Sequence, residues 1–380
     1  MQAECLNGGT MKILPLILCS AIISTVAAAP LKIGAVYCDA GPQKALDEPS
    51  WRGAQTAVAL RNKSGGINGQ PVELVRIGAD SSPASVAAAV RAALQADPDI
   101  AAFVGLSDTD LALAAGREAR KAGKVFVTSG ATSPLLPSQI GGRFFLACFG
   151  DNVQAAGAAE WLRSKGVKKT AVMYDSEKTY TRLLRRYFKD AFEAVNGAVT
   201  DQVAFRADEA VGLPSDLQSC DAVFVAAESA ADAKRVIAKL RGAGFNGPVV
   251  GGDGYDNPAA WSGDPLAENV FYTTHAYPAR GPGAADAATL SAFRANYRGG
   301  TPDAFSGLGF DAARVVMDGL ARGGKDLAKE IQARTAVAGV TGAIKYQGSN
   351  RVPAKPAAII DAQRPRQMLR QITPSAVPAP

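Results

Sequence analysis

GAQTAVALRNKSGGINGQPVELVRIGAD, residues 53–80, is the stretch from which the architecture can be read. Ala54, Ala57, Val58 and Leu60 lay an apolar stripe along one helix face, and Gly65-Gly66 ends that helix where the chain needs a positive φ. Val72 to Ile77 then alternates as a sheet strand does, and Leu31 to Tyr37 ahead of the helix reads as another strand. Helix, glycine turn and strand therefore sit inside one β-α-β unit. At about 30 residues per unit, this predicts a doubly wound α/β lobe.

The rhythm continues outward from there. Ser82 and Pro83 read as cap and first turn of a helix to Gln95. Ile100 to Val104 reads as a buried strand, Asp108 to Ala122 as a helix and Val125 to Thr128 as a strand. Ligands of open α/β sheets sit beyond the carboxyl ends of the strands, which singles out the loops Tyr37 to Ser50, Gly105 to Asp110 and Ser129 to Pro134. The pattern breaks at Phe145 to Gln154 and then restarts, as expected if the chain crosses into a second lobe. A return crossing is expected at Tyr272 to Pro278 and a third near Val340 to Ile344. The 380 residues exceed the usual size of a single core. The expectation is two Rossmann-like lobes on a three-crossing hinge: residues 29–149 with 278–343, and 150–277 with 344–373. Residues 374–380 are expected to be a disordered tail.

Residues 1–28 carry the marks of an export signal, with Met11 read as the true start. Met11-Lys12 is a short basic region, Ile13 to Val26 an apolar run too short to span a bilayer, and Val26-Ala27-Ala28 a small-residue cleavage site. Leu18 stands before Cys19 where a lipobox needs Gly or Ala, so lipidation is not expected. The mature chain is then a soluble periplasmic monomer, with Cys38, Cys148 and Cys220 giving either one disulfide and a thiol or no disulfide. The net charge of +6 is spread over helix faces and interleaved with acids, which argues against nucleic acid.

No catalytic arrangement emerges. The single histidine, His275, has no HExxH or paired-cysteine context, and no G-x-S-x-G elbow exists to supply a serine nucleophile. The glycine clusters GGINGQ and VVGGDGYDNP lack both dinucleotide and P-loop spacing, and Asp208, Glu209, Asp216 and Asp221 lack metal-loop spacing. The chain is read as a non-enzyme without cofactor or metal.

The run A…N…GGINGQPVELV…AD, with a Pro-capped helix and FVG after it, resembles the type I periplasmic solute-binding proteins. This is the family of the leucine/isoleucine/valine-binding protein of ABC importers, and the resemblance spans about residues 31 to 360. It implies capture of a small molecule between lobes by hinge closure and delivery to a membrane permease. Amino-acid-binding members offer loop hydroxyls and backbone N–H groups to the ligand carboxylate. The matching positions are Ser107, Asp108 and Thr109 in one loop and Gly130, Ala131 and Thr132 in the other. Asp108 stands where those members place a serine. Facing the cleft it would repel a carboxylate; turned away it would cap its helix. From the second lobe, Tyr180 matches the aromatic that closes over the ligand and Asp253 the acid that pairs with a ligand ammonium. Tyr255 is a stacking candidate, and Glu228 replaces an expected aromatic. The segment CDAGPQKALDEPSW replaces a short family loop and puts Trp51 near the cleft mouth or in the core.

These departures argue against a simple amino acid. Asp108, Glu228 and Asp253 facing inward would suit a cationic or hydroxyl-rich ligand; facing away, they would leave Trp51, Tyr180, Tyr255 and Phe149 for an aromatic one. Two other classes stay open: a periplasmic lipid or sterol carrier, and a sensor presenting ligand state to a membrane receptor.

Overall fold

The computed structural model describes residues 1–2, 29–278, 286–334, 336–365 and 367–380. The export signal expected within residues 1–28 lies almost wholly outside the described residues. Among those described, no helix is long and apolar enough to cross a membrane.

The first half runs β1 (Leu31–Cys38), α1 (Lys44–Lys63), β2 (Val72–Ala79), α2 (Pro83–Ala96), β3 (Ala102–Gly105), α3 (Thr109–Lys121), β4 (Val125–Thr128), α4 (Leu136–Ile140) and β5 (Phe144–Leu146). Its five strands pair in parallel in the order β2-β1-β3-β4-β5. The second half runs α5 (Asp151–Ser164), β6 (Lys169–Asp175), α6 (Thr179–Ala194), β7 (Ala198–Phe205), β8 (Ala222–Ala226), α7 (Ala230–Gly242), β9 (Val249–Gly251), α8 (Pro258–Trp261) and β10 (Val270–Thr274). After it come α9 (Ala287–Asn296), α10 (Ala304–Leu320), α11 (Leu327–Gln332), the hairpin β11 (Val337–Gly339) and β12 (Gly342–Ile344), then β13 (Ala357–Asp361) and β14 (Met368–Ile372). The second sheet has seven strands in the order β14-β13-β10-β9-β8-β6-β7, with β13 and β14 antiparallel at its edge.

Both sheets reverse their strand order next to their first strand, between β1 and β3 and between β6 and β8. A crevice opens at such a switch point, because the two connecting helices leave on opposite faces. Helix α10 packs on α1 through a pair of glycines. A Cβ on Gly53 would overlap the Ser306 carbonyl oxygen, and one on Gly309 the Ser50 carbonyl oxygen. Helix α1 also runs through Pro49, so the segment expected as a loop to Ser50 is helical from Lys44 onward. Two further expectations change. The segment after β12 stays against the first sheet, with Leu146 N–H donating to Arg351 O (3.0 Å) and Tyr346 Oη to Leu146 O (2.8 Å), so the last crossing falls near Lys355. The C-terminal residues lie against α5 instead of trailing free: Ser375 N–H donates to Glu160 Oε1 (2.6 Å) and Asn152 Nδ2 to Pro378 O (2.8 Å). Cys38, Cys148 and Cys220 are buried free thiols.

Candidate functional site

The loops at the two switch points meet. Leu46, Ser107, Asp108, Thr132 and Phe305 from one side, and Tyr180, Glu228, Asp253 and Gly254 from the other, line a cavity of about 10 Å³. This is about the space one water needs. The two halves are thus closed on each other, and any larger occupant requires them to separate.

The first wall is fixed by unusual backbone. Gly105 has φ +138° and Leu106 φ +63°. A Cβ on Gly105 would overlap the Val36 carbonyl oxygen, so only glycine lets β3 turn here. The turn is pinned by Leu106 N–H to Val36 O (3.1 Å) and by Thr128 Oγ1 to Leu106 O (3.0 Å). It delivers Asp108, 6% exposed, to the start of α3, where its Oδ1 accepts from Leu111 N–H (2.7 Å). Asp108 therefore both caps its helix and lines the cavity. The Ser129–Thr132 loop is held by Ser129 Oγ, 3.0 Å from Tyr37 Oη, and Thr132 O accepts from Asp151 N–H (2.8 Å).

Across the cleft, Glu228 follows β8 just ahead of α7. Its Oε1 accepts from Gln43 Nε2 (2.8 Å), a bond between residues 185 apart in sequence. Its other oxygen, Oε2, is buried without a partner, and so is Gln43 Oε1. Burial first, then the charge and contact of Asp108, push the Glu228 carboxyl well above its ordinary range; Lys178 opposes this. Lys178 itself loses by burial, but Glu228, Asp108, Asp175 and Asp110 around it raise its pKa. A second contact between the halves is Thr179 N–H to Asp110 Oδ2 (3.3 Å).

Asp253 sits at the back of the site, where three side chains of its own chain already meet its carboxyl. Its Oδ1 accepts from Tyr180 Oη (2.8 Å) and Gln154 Nε2 (2.9 Å), and its Oδ2 lies 3.1 Å from His275 Nε2. The same Gln154 Nε2 reaches Asp151 Oδ1 (2.9 Å), a buried carboxyl pushed up to about 8 by burial and by the Asp253 charge. His275 is fully enclosed, stacked on Phe149 with centroids 3.8 Å apart, and burial lowers its pKa. Phe149 and His275 belong to the first and second connections between the halves. The last connection carries Lys355, which donates to Ala147 O (2.9 Å) and Thr341 Oγ1 (2.5 Å) and faces the buried Asp311 at 3.9 Å.

Of the residues singled out from sequence, Ser107, Asp108, Thr132, Tyr180, Glu228 and Asp253 converge on the cavity. Thr109, Gly130 and Ala131 are buried directly behind it; a Cβ on Gly130 would press on Phe305 and on Ser107 Oγ. Tyr255 and Trp51 do not line it. Tyr255 is fully buried with its Oη on Val225 O (2.8 Å), and Trp51 packs against Tyr37 beneath Arg76, whose guanidinium carbon is 4.7 Å from the indole. Sequence reading missed Gln43, Leu46, Gln154, Lys178 and Phe305. A polar residue just before a helix that faces the cleft was the available signal for Gln43 and Lys178.

Residues 30–365 match the family model described as periplasmic binding protein. The Leu/Ile/Val-binding protein homolog 3 of Brucella melitensis is 29% identical over 309 residues, 79% of this chain and 81% of that one. The leucine binding protein LivK of Thermotoga maritima superposes with a TM-score of 0.78 at 25% identity, covering 90% of this chain and 99% of that one. A solute binding protein of R. palustris, solved in complex with benzoate, gives 0.73 at 19% identity and covers 92% and 98%. With two switch-point sheets closing on a shared cavity and a family match over nearly all of its described length, the chain belongs to the type I periplasmic binding proteins.

Proposed function

We propose that this protein captures a solute between its lobes by hinge closure and hands it to a membrane permease of an ABC importer, and that the solute is not a simple α-amino acid. The lobes we assign are residues 29–149 with 278 to about 352, and 150–277 with about 357–373. Export to the periplasm through residues 1–28 completes the reading.

One observation carries the ligand statement: the chain itself fills both ends of the amino-acid recognition scheme. The start of α3, which would offer N–H groups and dipole to a ligand carboxylate, is already capped by the Asp108 carboxyl. Asp253, the position matching an ammonium partner, is already met by Tyr180, Gln154 and His275. A ligand carboxylate about 4 Å from Asp108 would meet repulsion of about 4 kcal/mol at an effective dielectric of 20. Relatives solved with leucine, isoleucine or benzoate hold ligands that carry such a carboxylate. A lipid carrier would need a wide apolar cleft, and three acidic side chains around so small a cavity do not supply one.

The test is a calorimetric titration of leucine into the wild-type chain and into Asp108→Ser. No heat with wild type and measurable binding with the variant would support the reading. Micromolar leucine binding by wild type would overturn it.

A further inference from the structure

The chemistry of the cleft goes one step beyond exclusion. Among the buried polar atoms left without a partner, Glu228 Oε2 and Gln43 Oε1 belong to side chains 7% and 4% exposed that bridge the lobes. Both are acceptors. Glu228 lines the cavity, and the Asp108 carboxyl touches it from the opposite lobe. In this closed, nearly dry cleft, burial and the neighbouring Asp108 carboxyl together favour the protonated form of Glu228. The groups facing Glu228 are Asp108 and Asp110 from the start of α3 and Lys178 from the segment before α6. One lysine thus faces four acids, Asp175 being the fourth. Among the described residues, no group of three or more His, Cys, Asp or Glu side chains is arranged to hold a metal ion.

Resting on the solute-binding reading above, we infer that the solute carries an organic cation, an ammonium or guanidinium group, which lies between Asp108 and Glu228 and donates to Glu228 Oε2 and Gln43 Oε1. Planar guanidinium suits this pair well, because its N–H groups fork toward two acceptors at once. The cation takes the place of the proton that burial and the nearby Asp108 favour on Glu228 in the empty closed form. One proton therefore leaves to the buffer as the cation enters, wherever Glu228 was protonated beforehand.

This exchange gives the ligand class a sign that pH can read. A cation competes with protons for Glu228, so its affinity rises with pH; a carboxylate ligand, favoured by protonation of Glu228, binds more weakly as pH rises; a neutral polyol is nearly indifferent. The experiment titrates agmatine, leucine, benzoate and mannitol into the purified chain at pH 5, 6.5 and 8, in two buffers of different ionisation heat. The result expected is agmatine binding that tightens with pH and releases protons, at least tenfold weaker and flat with pH in Glu228→Gln. That variant keeps the bond to Gln43, and a melting curve confirms its fold. Gln43→Leu, which removes an acceptor and the donor to Glu228 Oε1 but no charge, is expected to weaken agmatine about threefold while leaving its affinity rising with pH.

Tighter binding of leucine, benzoate or mannitol than of agmatine would overturn the inference, as would agmatine binding indifferent to Glu228→Gln. Small-angle scattering with a periplasmic extract separates the two levels. Compaction by extract with agmatine and other cations silent would overturn the cation and leave solute binding standing. The absence of both compaction and a rise in melting temperature with anything would overturn solute binding itself.

Discussion

Asp151→Asn is expected to make this protein more stable at neutral pH. Asp151 is the first residue of α5, completely buried, and its carboxyl is raised from 3.8 to about 8 by burial and by Asp253. A carboxyl whose folded pKa lies above its unfolded value binds its proton more tightly in the native state. Its favourable contribution is complete below the unfolded value of 3.8 and is lost as pH rises toward the folded value of about 8. At pH 7 the unfolded chain is ionised there while the native chain keeps the proton. The difference, about 3 pH units, costs up to about 4 kcal/mol. Asparagine retains an oxygen to accept from Gln154 Nε2 and presents an N–H toward the Thr132 hydroxyl, without any titration. The variant should gain about 1 to 4 kcal/mol at pH 7.5 and nothing at pH 4. Urea unfolding followed at pH 4, 6 and 7.5 reads the gap between variant and wild type as it opens with pH. A gap that stays constant, or a variant less stable than wild type at pH 7.5, would refute the burial argument.

Other consequences follow from the same geometry. Lys355→Ala should cost about 3 to 5 kcal/mol, since it leaves the buried Asp311 without its cation and the Ala147 and Thr341 acceptors without a donor; thermal unfolding checks this. Gly105→Ala should destabilise the first lobe by at least about 1 to 3 kcal/mol through the φ of +138° and the overlap with Val36, read as faster proteolysis of that lobe. Wild-type stability should also fall as pH rises from about 4 to 7, because Asp47 and Asp256 are held near 6 and 7 by burial; denaturant midpoints across that range should show it.

The architecture was largely legible because its signals are local. Apolar stripes at helical spacing, glycine at a positive φ and short apolar runs recur through both halves, and they place strand ends within a few residues. Asp108, Thr132, Glu228 and Asp253, which follow strands and match family positions, all line the cavity. What escaped depends on pairings distant in sequence. Helix α1 runs through Pro49, and Gly53 and Gly309 let α10 press against it; no local pattern encodes that fit. Gln43 looked like part of a loop until its bond to Glu228 appeared across 185 residues. Trp51 was read toward the cleft because its segment is unusual in the family. Cation and aromatic packing beneath Arg76 gives that ring its place instead.

The solute itself decides the central claim. The chain should be purified without denaturation, its closure checked by small-angle scattering, and the bound small molecules released with acid and identified by mass spectrometry. A donor-rich solute without an α-amino-acid head group, bound at about one per chain and lost in Glu228→Gln, is the expected result. Leucine, isoleucine or another α-amino acid at the same occupancy would contradict the account.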